Sequence, residues 1–177
     1  MKIDSFTITL EQPGDDPAIE ALHESAFGPG RFARAASILR EGVPHDPGLS
    51  FVAKSGFDLV GSVRLTPILI GGRPGLLLGP LAVVDGWKGR GAGKSLMRTA
   101  LAAAAEAGHE LVLLVGDEPY YGPFGFQRVA PYLLTLPAPA DPARILVCPL
   151  VEGAMEGIGG RVTRAPGAGS TVPGPGA

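Results

Sequence analysis

The stretch Leu78-Gly-Pro-Leu-Ala-Val-Val-Asp-Gly-Trp-Lys-Gly-Arg-Gly-Ala-Gly-Lys-Ser-Leu-Met97 decides how the chain is read. It runs from an apolar strand into a loop with glycines at 86, 89, 91 and 93, then into a helix starting near Ala92. A turn of this kind leaves several N–H groups without carbonyl partners, aligned with the positive end of the helix dipole. Glycine places no Cβ between a ligand and that backbone. Such a helix entry binds phosphate, and Lys88, Arg90 and Lys94 surround it with positive charge.

Spacing separates the ligand classes that use such a loop. A Walker A loop requires Gly-x-x-x-x-Gly-Lys-Ser/Thr. Gly93-Lys94-Ser95 supplies its end, but position 88, where the first glycine belongs, is lysine. The dinucleotide fingerprint requires Gly-x-Gly-x-x-Gly, and Gly89-Arg-Gly91-Ala-Gly93 is closed up by one residue. It also lies mid-chain, where a dinucleotide fold carries it near the start.

Composition bounds the rest. A chain of 177 residues is expected to form one domain, large enough to bury about two thirds of its unfolded surface. A net charge of −2 gives no support for a nucleic-acid-binding or acidic-membrane surface. The single cysteine, Cys148, excludes an internal disulfide framework and a cysteine-based metal cluster. His23, His45 and His109 have no ligand spacing, so no metal is expected. No apolar run follows Lys2 and no window reaches membrane-spanning length. A cytoplasmic protein is expected, and the abundance of Gly, Ala, Pro and Arg suggests a bacterial one.

Along the chain, Ser5 to Leu10 alternates as a strand. Asp15-Asp16-Pro17 opens a helix with a cap and an early proline. Ile19, Leu22, His23, Ala26 and Phe27 share one face of it, and His23 and Glu24 could reach a substrate. Gly28-Pro29-Gly30 ends it, and a second helix places Phe32, Ala35, Ala36 and Leu39 inward before Gly42. Residues 49–54, 59–70 and 75–84 read as consecutive strands, the second bent around Pro67 because proline interrupts a ladder. The helix after the glycine loop buries Leu96, Met97, Ala100, Leu101, Ala104 and Ala105 and stops at Gly108. Residues 109–115 form a short, nearly continuous apolar run, as in a strand covered on both faces. Strand pieces follow at 127–129, 132–136 and 144–150. The domain is read over 1–152, with an extension over 153–164 that could add a short strand and a disordered Gly/Pro/Ala-rich tail over 165–177.

Two patterns carry a resemblance. Lys88-Gly-Arg-Gly91-Ala-Gly93 is similar to the Gln/Arg-x-x-Gly-x-Gly/Ala loop of GNAT superfamily N-acetyltransferases, with lysine in the first position. About thirty residues on, Tyr121-Gly-Pro-Phe-Gly125-Phe126 resembles the Tyr-x-x-x-Gly-Phe segment of many members. A helix and a strand of suitable length join the two, and the similarity runs from about Ile3 to Leu150.

The resemblance implies an α/β fold: a mixed, twisted sheet of about seven strands, helices on both faces, and splayed central parallel strands. It implies acetyl-CoA as co-substrate. Leu81, Ala82 and Val83 would pair with the pantetheine arm as an added strand. The pyrophosphate would sit on Lys88, Gly89, Arg90, Gly91, Ala92, Gly93, Lys94 and Ser95. One backbone amide beyond Pro80 could stabilise the thioester oxygen, a contact whose loss typically costs ~10²–10³ in rate. Tyr121, protonated at neutral pH, is the expected proton donor to the departing thiolate, with Tyr120 as the fallback.

The general base is not legible: Glu118, Asp117, Glu24 and His109 are candidates, and a water chain could serve. Cys148 has no patterned histidine beside it, so direct transfer is expected rather than an acyl-enzyme. The acceptor would be a small-molecule or peptide amine, chosen by the first two helices, residues 43–49 and residues 131–142. A non-catalytic acyl-CoA sensor is the alternative. The last strand and its extension could pair across a homodimer.

Overall fold

The computed structural model describes residues 5–166. Its centre is a nine-stranded sheet in the order β1 (Thr7–Leu10), β2 (Phe51–Ser55), β3 (Asp58–Ile70), β4 (Arg73–Val83), β5 (Leu111–Val115), β8 (Ile145–Pro149) and β6 (Gln127–Arg128). Strand β9 (Gly160–Arg164) joins β3 and also pairs with β7 (Leu134–Thr135). The β4–β5 and β7–β9 pairings are parallel and the others antiparallel. Nine strands rather than about seven arise because β6 and β7 are two-residue pairings and β9 comes from the extension. The tail read over 165–177 lies, from residue 167 onward, outside the described residues.

Among the described residues four α-helices accompany the sheet: α1 (Asp16–Phe27), α2 (Ala35–Arg40), α3 (Ala92–Glu106) and α4 (Glu118–Tyr121). Alternation along β4 and β5 divides their side chains between two cores. Leu76, Leu78, Val112 and Leu114 face α3 with Leu96, Met97 and Ala100. Leu77, Leu111 and Leu113 face the opposite layer with Leu39, Ile68, Ile70, Val147 and Val162. This double burial explains the uninterrupted apolar run at 111–115. Leu96 and Met97 are fully enclosed, and each contributes about 2 kcal/mol by leaving water. Ala105, on the edge of the α3 stripe, stays exposed.

Local details differ from expectation in three places. Asp15 holds the N-cap position of α1, but its carboxylate makes no capping bond to that helix; it accepts from the Gln12 amide (2.9 Å) and pairs with Lys54 (2.7 Å). Ala26 is exposed. The β3–β4 ladder runs unbroken through Pro67, which faces Leu76, and its irregularity lies between Val63 and Leu65 instead. No described helix is long and apolar enough to cross a membrane.

Candidate active site

The site begins where two strands part. β4 and β5 pair only at Leu76–Val112 and Leu77–Leu113. Beyond that, β4 stays with β3 as far as Val83–Gly61, and β5 stays with β8 as far as Val115–Ile145. Their facing edges are left open. At the point of separation Leu65 faces Leu78 and Val63 faces Leu81, so Arg64 alone opposes Gly79 and Pro80. Two residues against one make a β-bulge, a device that bends a strand and re-aims its groups.

A cavity of about 550 Å³ lies on the open edge, bounded by residues 81–83, 87–89, 91–94, Asp117, Tyr120 and Tyr121. Gly91 caps α3 with φ 88°, and Gly89 has φ 78°; side chains with a Cβ rarely adopt this left-handed region. The Ser95 amide already donates to the Gly91 carbonyl (3.0 Å). The amides of Ala92, Gly93 and Lys94 therefore precede the first helical bond, and these three residues line the cavity. A Cβ on Gly93 would stand 2.8 Å from the Tyr120 hydroxyl, so glycine there lets the ring lie against the helix entry.

Two residues of the expected set fall outside this lining. Arg90 is stacked 4.8 Å from the centre of the Trp87 ring, and Ser95 has turned into the helix. Lys88 borders the cavity and pairs at the surface with Asp85 (2.8 Å).

Tyr121 ends α4. Its ring meets Tyr120 edge-on at 4.8 Å and Phe126 at 6.1 Å. It lies over Gly116, where a Cβ would come within 2.5 Å of the ring. Burial pushes the Tyr121 phenol up to about 12, helped by Tyr120 and by the charge of Asp117. The proton therefore stays on the oxygen throughout the neutral range.

A second cavity, of about 850 Å³, lies beneath α1, α2 and residues 43–45, with 139–141 along one side. Leu81, Asp117 and Tyr121 border both cavities. A buried ionic cluster braces its wall. Arg64 donates to Glu11 (2.7 and 3.1 Å), Asp16 (2.8 Å) and Glu20 (3.3 Å), while His45 approaches Glu11 at 3.3 Å. Burial alone would raise the Glu11 carboxyl, but His45 and Arg64 hold it down at about 2. His23 is 4% exposed. Burial, then the charges of Arg64, Arg40 and Arg31, lower it to about 4, and its Nε2 has no hydrogen-bond partner among the described residues.

The base candidates separate by position. Asp117 borders both cavities and pairs with Arg144 (3.2 Å). Glu118 is bound to Arg128, and Glu24 and His109 border neither cavity. Cys148 is buried beneath the Phe124 carbonyl, and burial raises its thiol pKa. Among the described residues no group of three or more His, Cys, Asp or Glu is placed to hold a metal. Sequence reading missed Glu11, Arg40 and Arg64. Only Arg64 carried a signal, as a charge inside the apolar run of residues 60–70.

Comparison with known proteins gives the family. Residues 17–126 match the acetyltransferase (GNAT) family. The chain is 30% identical over 157 residues to the uncharacterized N-acetyltransferase YhbS of Escherichia coli K12, covering 88% of this chain and 93% of that protein. The Escherichia coli YhbS crystal structure in complex with CoA superimposes with a TM-score of 0.77 at 29% identity, covering 90% of this chain and 89% of the other. A GNAT family acetyltransferase from Brucella melitensis in complex with acetyl-CoA gives 0.59 at 26% identity, covering 86% and 99%. With the family match spanning well over half of its length, the chain belongs to the GNAT family of acetyltransferases.

Proposed function

We propose that the protein transfers the acetyl group of acetyl-CoA to a primary amine by direct attack within a ternary complex. The observation that carries this reading is the shared wall: Leu81, Asp117 and Tyr121 border both the cavity at the glycine loop and the larger one beneath α1 and α2. In this reading the pyrophosphate rests on the amides of residues 89–94, with Lys88 and Lys94 supplying charge. The pantetheine arm completes the open edge of β4 at residues 81–83. The CoA and acetyl-CoA complexes of the two relatives support this assignment.

The amine nitrogen attacks the thioester carbon. The C–N bond forms, the C–S bond breaks, and an amide at residues 81–83 holds the oxygen as it gains charge. Tyr121 gives its proton to the departing sulfur and recovers one from solvent. The ammonium proton leaves through Asp117, the carboxylate common to both cavities.

Calorimetry with acetyl-CoA and CoA release across an amine panel test the proposal. Wild type binds at micromolar concentration, and Gly91→Glu abolishes binding by combining a strained φ with a carboxylate at the phosphate position. Tyr121→Phe leaves binding intact and lowers kcat by about 10² or more. Acetyl-CoA binding with no CoA release to any amine, and no effect of Tyr121→Phe, would identify a sensor and refute catalysis.

A further inference from the structure

The larger cavity holds an arginine with no partner among the described residues, and this bears on the acceptor. Arg40 closes α2 and is half-buried at the cavity wall. Its Nη1 is 3.6 Å from where a Cβ on Gly79 would stand, beside the bulge at which β4 leaves β5. The other cations of this wall are engaged. Arg64 serves three carboxylates, Arg144 serves Asp117, Arg31 donates to the Gly28 carbonyl (2.8 Å), and Arg34 stacks on Phe27 at 5.7 Å. Of the four lining carboxylates, Glu20 pairs with Arg64, Asp117 with Arg144 and Asp141 with the Ala143 amide, while Glu41 is exposed. Arg40 has neither a hydrogen bond nor an ion pair among the described residues. Burial, and then the repulsive charge of Arg64, lower its guanidinium to about 10.

Enclosing an unpaired charge is costly, and folded proteins normally supply a counter-charge. A second group in the same wall is also incomplete. His23 Nε2 is buried without a partner, and Arg40 is close enough for its charge to act on that ring. A planar guanidinium next to a neutral imidazole nitrogen suits an oxyanion, which the guanidinium grips with two parallel hydrogen bonds. Arg40 stands at Gly79, two residues before the Leu81 shared by both cavities, so a bound oxyanion sits near the point of attack.

We propose that the acceptor is an amine carrying a carboxylate or phosphate near its nitrogen, with that oxyanion seated on Arg40 and contacted by His23 Nε2. This rests on the acetyltransferase reading and specifies the acceptor class for the same site.

The test is CoA release from acetyl-CoA with paired acceptors: L-amino acids against their carboxamides, and O-phosphoethanolamine against ethanolamine. The anionic member of at least one pair is favoured by about 30-fold or more in kcat/KM, as for a buried charge pair. The favoured pair distinguishes carboxylate from phosphate. Arg40→Met abolishes that preference mainly through KM while leaving the acetyl-CoA Kd unchanged, and Arg40→Lys keeps part of it. Because Arg40→Met removes a charge with no partner among the described residues, it raises the Tm of the unliganded protein.

Equal turnover of the neutral members overturns the proposal. So does a protein that binds acetyl-CoA yet uses no anionic acceptor, or a fall in Tm for Arg40→Met. If wild type fails to bind acetyl-CoA in calorimetry before any amine is added, the cofactor reading fails, and this inference goes with it.

Discussion

The most direct quantitative consequence of the buried wall concerns His23. Its pKa falls from 6.5 to about 4 in the folded protein, chiefly through burial and secondarily through three arginine charges. The unfolded chain therefore binds a proton between pH 6.5 and 4 that the folded chain refuses. Stability is full above pH 6.5 and declines as pH falls towards 4. Across 2.5 pH units the whole effect is about 3 kcal/mol, and between pH 7 and pH 5 it is about 2 kcal/mol. Urea unfolding of wild type and His23→Leu at pH 7, 6 and 5 isolates it. Nε2 has no partner to lose, so the variant matches wild type within about 1 kcal/mol at pH 7. At pH 5 it is the more stable of the two. Glu11 does not confuse the window, because its carboxyl, held at about 2, changes stability only below about pH 4.5. Parallel pH dependences for the two proteins would show that the imidazole is not excluded from solvent, and the reasoning would fail.

Two further outcomes follow from close contacts. A methyl at residue 116 would collide with the Tyr121 ring at 2.5 Å, so Gly116→Ala lowers kcat about 10- to 100-fold by misplacing the phenol. The Gly116→Ala, Tyr121→Phe double variant is then no slower than Tyr121→Phe alone, and acetyl-CoA affinity by calorimetry is preserved. Glu11→Gln leaves Arg64 with only its two more exposed carboxylates. It destabilises the fold by about 3 kcal/mol at pH 7 in urea unfolding. The acid-induced loss of stability between pH 4.5 and 2 becomes shallower, because wild-type Glu11 contributes above 4.5 and loses that contribution as pH falls through about 2.

What could be read from the sequence was whatever local chemistry determines. Glycine spacing placed the start of α3 at Ala92, where the structure has it, because a left-handed residue before a helix leaves few alternatives. Strand limits came within about two residues, since β3 and β4 alternate or run apolar throughout. Proline misled at position 67, where the ladder tolerates it, while the bulge formed at Gly79–Pro80 opposite Arg64. The cavity wall was less accessible still. Glu11 and Arg64 are 53 residues apart, and no periodicity links them. Arg40 read as the last residue of a short helix. Its proposed role comes from the lack of a counter-charge beside it among the described residues.

The carboxy-terminal strand has a consequence of its own. β9 lies beyond the family-matched residues, yet it pairs with Ile68, Leu69 and Ile70, and Arg164 donates to the Glu41 carbonyl at 3.1 Å, one residue from Arg40. It acts as a strap across the end of α2, tying the arginine's backbone to the central sheet. Trimming the chain after Pro149 would remove this strap together with Ala154 and Val162 from the core behind Leu77 and Leu113. In the proposed reading it would slacken the acceptor wall first, since β9 pairs with β3 and β7 rather than with the glycine loop.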